Sequence, residues 1–151
     1  MSHARPMFPE NINLFRIFET IKSDLTQNKS YYRSQAKRFL SGAVGYCCIE
    51  LLWRQRTHWS MALSGGVCFC SLCSIVKKLD KIFLKAGAGA VLISFCELVC
   101  GCIVNHLLDL KVWTYEKKPF NLLGQICPEY SFYWLVLTLA LLPVIELEGL
   151  K

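Results

Sequence analysis

From Trp59 to Val76 the chain carries no charged residue, and three further apolar stretches lie between Phe39 and Leu147. A helix rises about 1.5 Å per residue and a bilayer's hydrocarbon core is about 30 Å thick, so about 20 mostly apolar residues make a crossing. The first stretch, 39–53, is interrupted by Glu50. The third, 83–108, has Lys85 at its edge and Glu97 near its middle. The fourth, 130–147, holds Pro143 towards its end, which a membrane helix tolerates because its neighbours satisfy the freed carbonyl. The pattern predicts an all-α polytopic membrane protein, a four-transmembrane-helix bundle over 39–151, preceded by an arm over 1–38.

Composition excludes the other classes. Apolar residues make up 54 % and charged residues 19 % of 151, and mean hydropathy is +0.35; a soluble domain of this size needs more charge to cover its surface. The 13 % of aromatic residues excludes disorder. Nine cysteines, an odd number mostly inside apolar runs, do not describe a secreted disulfide scaffold.

Lys and Arg set the expected orientation. Arg5, Arg16, Lys22, Lys29, Arg33, Lys37 and Arg38 in the arm, Lys77, Lys78, Lys81 and Lys85 after the second span, and Lys151 make twelve on one side. Arg54, Arg56, Lys111, Lys117 and Lys118 make five on the other, so both termini are expected to be cytoplasmic. Asn28-Lys29-Ser30 fits the glycosylation pattern but falls on the side away from the glycosylating compartment. The basic excess sits beside spans, where it anchors helix ends against anionic lipid, and no nucleic-acid-binding signature accompanies it. In the arm, Ile12, Leu14, Phe15, Ile17, Phe18, Ile21 and Leu25 trace an amphipathic helix, lying on the inner surface or packed on the bundle's end.

Glu50 and Glu97 are the informative positions, because an ionised side chain at the bilayer centre costs roughly 2.5–3.5 kcal/mol and must face the bundle or water. Ala86, Ala90, Ser94, Gly101 and Asn105 all fall within about 80° of Glu97 on a helical wheel, while Val91, Leu92, Phe95, Val99 and Ile103 fall on the far side. That small, polar stripe is a helix-packing surface. In the first span Ala43, Tyr46 and Cys47 share Glu50's face, and Ser41 with Gly45 forms a small-xxx-small pair. The two carboxylates are expected to line a cavity that opens outward and to handle a proton, cation or small solute; the alternative is a glutamate held by backbone, Tyr46 or Arg54.

The loop from Asp109 to Glu129 is too aromatic for a solvated linker. Trp113 and Tyr115 suit the membrane interface, and Gly124 with two prolines predicts a tight, re-entrant turn. It reads as an interfacial anchor or as a lid over the cavity. Cys70-x-x-Cys73 and the set Cys96, Cys100, Cys102 and His106 have the residue types for zinc or redox chemistry, but Cys96 and Cys102 fall on different helix faces from Glu97, and a redox CxxC opens a helix instead of sitting mid-span. We expect neither a metal, nor a cofactor, nor catalytic residues.

Gly45-Tyr46 with Glu50-Leu51-Leu52-Trp53, the Gly65-Gly66 pair, Glu97, Trp113-x-Tyr115 and Asn121-Leu122-x-Gly124-x-Ile126-Cys127 occur in that order. Over about 39–140 this resembles the bacterial family called Putative ABC-transporter type IV, the CmpB-like proteins. Thr114 stands where that family has Asp, Glu116 where it has Ser, and Gly65-Gly66-Val67-Cys68 replaces a Pro-containing stretch. The resemblance implies a compact four-span, permease-like protein with Tyr46, Glu50, Glu97, Asn105, Trp113, Tyr115 and Asn121 as candidate pathway residues. The chain has no GxxxxGK[ST], so a permease role needs a separate ATPase subunit or an ion gradient; four helices are few to enclose a pathway, which implies a homodimer. The competing reading is a non-transporting membrane scaffold or regulatory protein.

Overall fold

The computed structural model describes residues 14–149. Four α-helices, α1 (Leu14–Arg54), α2 (Trp59–Val76), α3 (Ile82–Gly101) and α4 (Pro128–Gly149), are joined by short turns and one long loop; α3 continues as a π-helix over Cys102–Leu107. No strand occurs among the described residues, only an isolated bridge between Leu122 and Ile126. Among the described residues three helical segments are long and apolar enough to cross a membrane: Trp59–Val76, Ile82–Leu107 and Pro128–Glu148. The apolar end of α1 does not reach that length. The structure therefore carries three self-evident spans where the sequence predicts four.

The chain divides into two compact units, 1–34 and 35–151, and α1 contributes to both. In the first, Ile17, Phe18, Ile21 and Leu25 are exposed along the helix, as are the polar residues between them. Ile12, Arg5 and Lys151 of the sequence argument lie outside the described residues.

In the second unit, Gln55 ends α1 by adopting a left-handed conformation (φ 55°), which stops the helical hydrogen-bond ladder. His58 then caps α2, its side chain accepting from the Ser60 N–H. One end of the bundle is solidly packed: Leu72, Cys73, Val76, Leu142 and Ile145 form its core. At this end Lys85 pairs with Glu146, and the Arg38 Nε–H donates to the Glu148 carbonyl at 2.9 Å. Arg38 is thus not a free flanking charge, as its place in the basic arm implies. It is buried, satisfying a carbonyl at the C-terminal, partially negative end of α4.

Small residues let the helices meet. The stripe on α3 is buried as Ala86, Gly89, Ala90, Ser94 and Glu97, while Val91, Phe95, Val99 and Ile103 are exposed. Ser94 and Ser131 share a hydrogen bond of 2.8 Å between α3 and α4. Between α1 and α2 the contact glycine is Gly42: a Cβ there would lie 2.5 Å from the Gly65 carbonyl oxygen. This corrects the expected Ser41/Gly45 pair, since both residues are exposed and Gly45 has nothing near its would-be Cβ.

Candidate functional site

The end of the bundle away from the packed core holds an open-sided cavity of about 780 Å³, bordered by all four helices and the long loop, within the range of small-molecule sites. Glu97 reaches it from the buried stripe of α3. Its two oxygens accept from neutral donors: the Tyr115 hydroxyl at 2.7 Å and the Trp134 Nε1–H at 2.9 Å. Among the described residues no cation pairs with it. Burial, and then the Glu97 carboxylate beside it, push the Tyr115 hydroxyl well above its ordinary pKa, so Tyr115 remains a donor at any physiological pH.

Glu50 borders the same cavity but in a different state. Its carboxylate is ion-paired with Arg54, one turn further along α1, and accepts from the Thr57 hydroxyl at 3.2 Å. The sequence offers two readings, a shared cavity and a glutamate held by a neighbour such as Arg54; the structure gives Glu50 the second, its charge neutralised by that guanidinium, and leaves Glu97 with aromatic donors among the described residues.

Rings make up much of the remaining wall. Tyr46 lies 6.1 Å from Trp134, Tyr115 stacks on Tyr130 at 4.3 Å, Tyr130 meets Tyr133 edge-on at 5.5 Å, and Trp53 lies 6.4 Å from Tyr133. Of the expected site residues, Tyr46, Glu50, Glu97, Trp113 and Tyr115 line the cavity together. Asn105 and Asn121 are not among its lining residues. Asn105 Nδ2 donates to the Trp113 carbonyl at 3.0 Å and to Gln125 Oε1 at 2.7 Å, and Asn105 Oδ1 accepts from the Val112 N–H at 2.7 Å. The π-helix aims it there, its wider turn closed by the Leu108 N–H on the Ile103 carbonyl at 2.9 Å. Asn121 folds the loop on itself, donating to the Lys118 carbonyl at 2.8 Å and accepting from the Gly124 N–H at 3.0 Å. Gly124 sits at φ 66° in that turn. Trp113 and Gln125 are buried, and the Trp113 Nε1–H closes on the Gln125 carbonyl at 3.2 Å. The segment is a built cap, tied to the cavity floor through Tyr115.

Trp134 escapes the sequence argument because an aromatic near the start of a span reads as an interfacial anchor. Its one available signal is the Tyr130/Trp134 spacing of four, which places both rings on one helix face. The nine cysteines are all unpaired. Cys70 spends its thiol hydrogen on the Gln35 carbonyl at 3.7 Å, and among the described residues no group of three or more His, Cys, Asp or Glu is placed to hold a metal.

Asn105 carries a testable consequence. Asn105→Ala strands three loop groups, and at about 1 kcal/mol each it is expected to cost about 3 kcal/mol. The checks are a lower melting temperature in detergent and a red-shifted, quencher-accessible Trp113. Unchanged melting would show that the cap does not depend on this side chain.

Membrane-length apolar helices around an aromatic-walled cavity that holds a buried carboxylate describe an integral membrane protein. The family described as Putative ABC-transporter type IV matches residues 39–148, and the chain belongs to it. No curated protein and no solved structure matches the chain. Thr114, where the resemblance places an acidic residue, borders the cavity with a neutral side chain, leaving Glu97 as the carboxylate without a cationic partner there.

Proposed function

We propose that the protein is a permease-like membrane component that binds a cation or cationic solute at Glu97. The observation that carries this is the state of that carboxylate: buried, on a cavity wall, hydrogen-bonded only by Tyr115 and Trp134. An acid costs several kcal/mol to keep there and gains a partner when a cation enters.

Four crossings complete the topology, the last turns of α1 supplying the fourth. Leu40, Val44, Leu51 and Leu52 point outward and exposed, as lipid-facing residues do, while Gly42 and Ala43 are buried. The excess of Lys and Arg on the arm and on the turn between α2 and α3 puts both termini in the cytoplasm. Lacking a nucleotide-binding motif, the chain draws on a separate ATPase subunit or an ion gradient, and a homodimer supplies further helices to the pathway. The exposed Ile17, Phe18, Ile21 and Leu25 support a second reading, a scaffold that recruits a partner through its arm.

The test is a titration of detergent-purified protein with inorganic and organic monovalent cations, read by the fluorescence of Trp113 and Trp134. Glu97→Gln is expected to weaken the saturable response about 100-fold, the loss typical of removing one member of a buried charge pair, while Glu97→Asp retains part of it. A folded Glu97→Gln protein that responds like wild type overturns the proposal.

A further inference from the structure

The cavity at Glu97 does not end there. A slot of about 220 Å³ runs between the helices towards the packed core, and Tyr46, Ile49, Met61, Glu97, Trp113 and Trp134 border both spaces. The two are lined differently. Beyond Glu97 the slot's wall is almost wholly apolar, with Ile93, Leu141 and Val144 along it and Ser64 at its α2 side, while Leu137 is shared with the cavity. On the other side of Glu97 the cavity is ringed by aromatics and ends in a polar mouth at Arg56, Lys111 and Lys118.

We infer that the ligand is a lipophilic organic ammonium ion, its head against Glu97 among Tyr46, Trp113 and Trp134 and its apolar tail in the slot. This rests on the reading of Glu97 as a cation-binding group and adds the substrate class. A small metal ion needs several oxygen ligands close in, whereas Glu97 stands among rings whose faces attract organic cations. The mouth's positive charges do not oppose this. Lys118 pairs with Glu129 and Lys111 with Asp109, and Arg54 with Glu50, which among the described residues leaves Arg56, an exposed side chain whose charge salt screens. A ligand with an ammonium head and no tail leaves the slot empty; an apolar ligand with no charge leaves Glu97 unpaired. Only an amphiphilic cation satisfies both ends.

The experiment is a binding series of alkyltrimethylammonium ions, methyl to octyl, on the full chain in maltoside micelles, read by saturable tryptophan quenching. Affinity is expected to tighten about fourfold per added methylene, the transfer value for a buried CH₂. Ser64→Leu, which fills the slot, flattens the series and spares tetramethylammonium. Glu97→Gln weakens every member, and the neutral carbon isostere of each ion binds poorly. Melting temperatures of both variants confirm folding. Glu97-dependent binding of tetramethylammonium with a flat chain-length series overturns the tail slot and leaves the cation reading of Glu97 standing. Chain-length dependence that survives Glu97→Gln, or equal binding of the neutral isosteres, overturns both. If no member binds while an inorganic cation does so through Glu97, the ligand class is wrong and the site is not.

Discussion

Arg54→Ala is expected to lower stability by about 3 kcal/mol, because it leaves the buried Glu50 carboxylate facing the cavity without its counter-ion. Removing one member of a buried ion pair typically costs about 3–5 kcal/mol; the lower end applies because the Arg54 side chain is 24 % exposed, against 8 % for Glu50, and water screens part of the pair. The Thr57 hydroxyl at 3.2 Å is too weak a partner to take its place. Replacing both members with methionine removes the desolvation cost along with the attraction, so Glu50→Met/Arg54→Met should recover most of the loss. Melting of the single and double variants in one detergent decides the matter. A double variant as unstable as Arg54→Ala would show that Glu50 has a role beyond its pair.

The second large effect is steric. Gly42→Leu puts a branched side chain where even a Cβ meets the Phe69 Cβ and the Gly65 carbonyl. Backbone cannot yield as a flexible side-chain end can, so α1 must separate from α2. Overpacking costs about 1–3 kcal/mol where a core can adjust, and this contact cannot, so a loss above 3 kcal/mol or failure to accumulate is expected. At Gly45, three residues on, an added Cβ has nothing within 4 Å, so Gly45→Leu should be close to neutral. Similar losses at both positions would contradict the packing of α1 described above.

Much of this was legible in the residues, for reasons that differ by element. The α3 stripe could be read because one helix carries both its small polar face and its bulky apolar face, and burial follows that division except at Leu92, which packs against the core. The cap's internal folding was signalled by Gly124 and the prolines. What depends on a second helix was not legible. Which of Ser41, Gly42 and Gly45 touches α2 is fixed by where Gly65 arrives, and Arg38 looks like a membrane-flanking charge until the end of α4 is placed beside it. Trp134 becomes a ligand of Glu97 only through the α3–α4 crossing. Asn105 lies near Glu97 on a regular helical wheel, but the π-turn puts it to work on the loop instead.

That π-turn, the last segment of the helix before the loop, is in effect one surplus residue wound into its end. Deleting a single residue within Cys102–Val104 would let Ile82–Leu107 wind as uninterrupted α-helix, with better local hydrogen bonds and a straighter rod. It would also rotate Asn105 away from Val112, Trp113 and Gln125 and draw the start of the loop one step back along the chain. The cap would lose its seat, and with it the register that brings the Tyr115 hydroxyl to Glu97. The imperfection in the helix is thus the part that sets the phase between the long apolar helix and the loop folded against it, and the shorter, more regular sequence would encode the poorer protein.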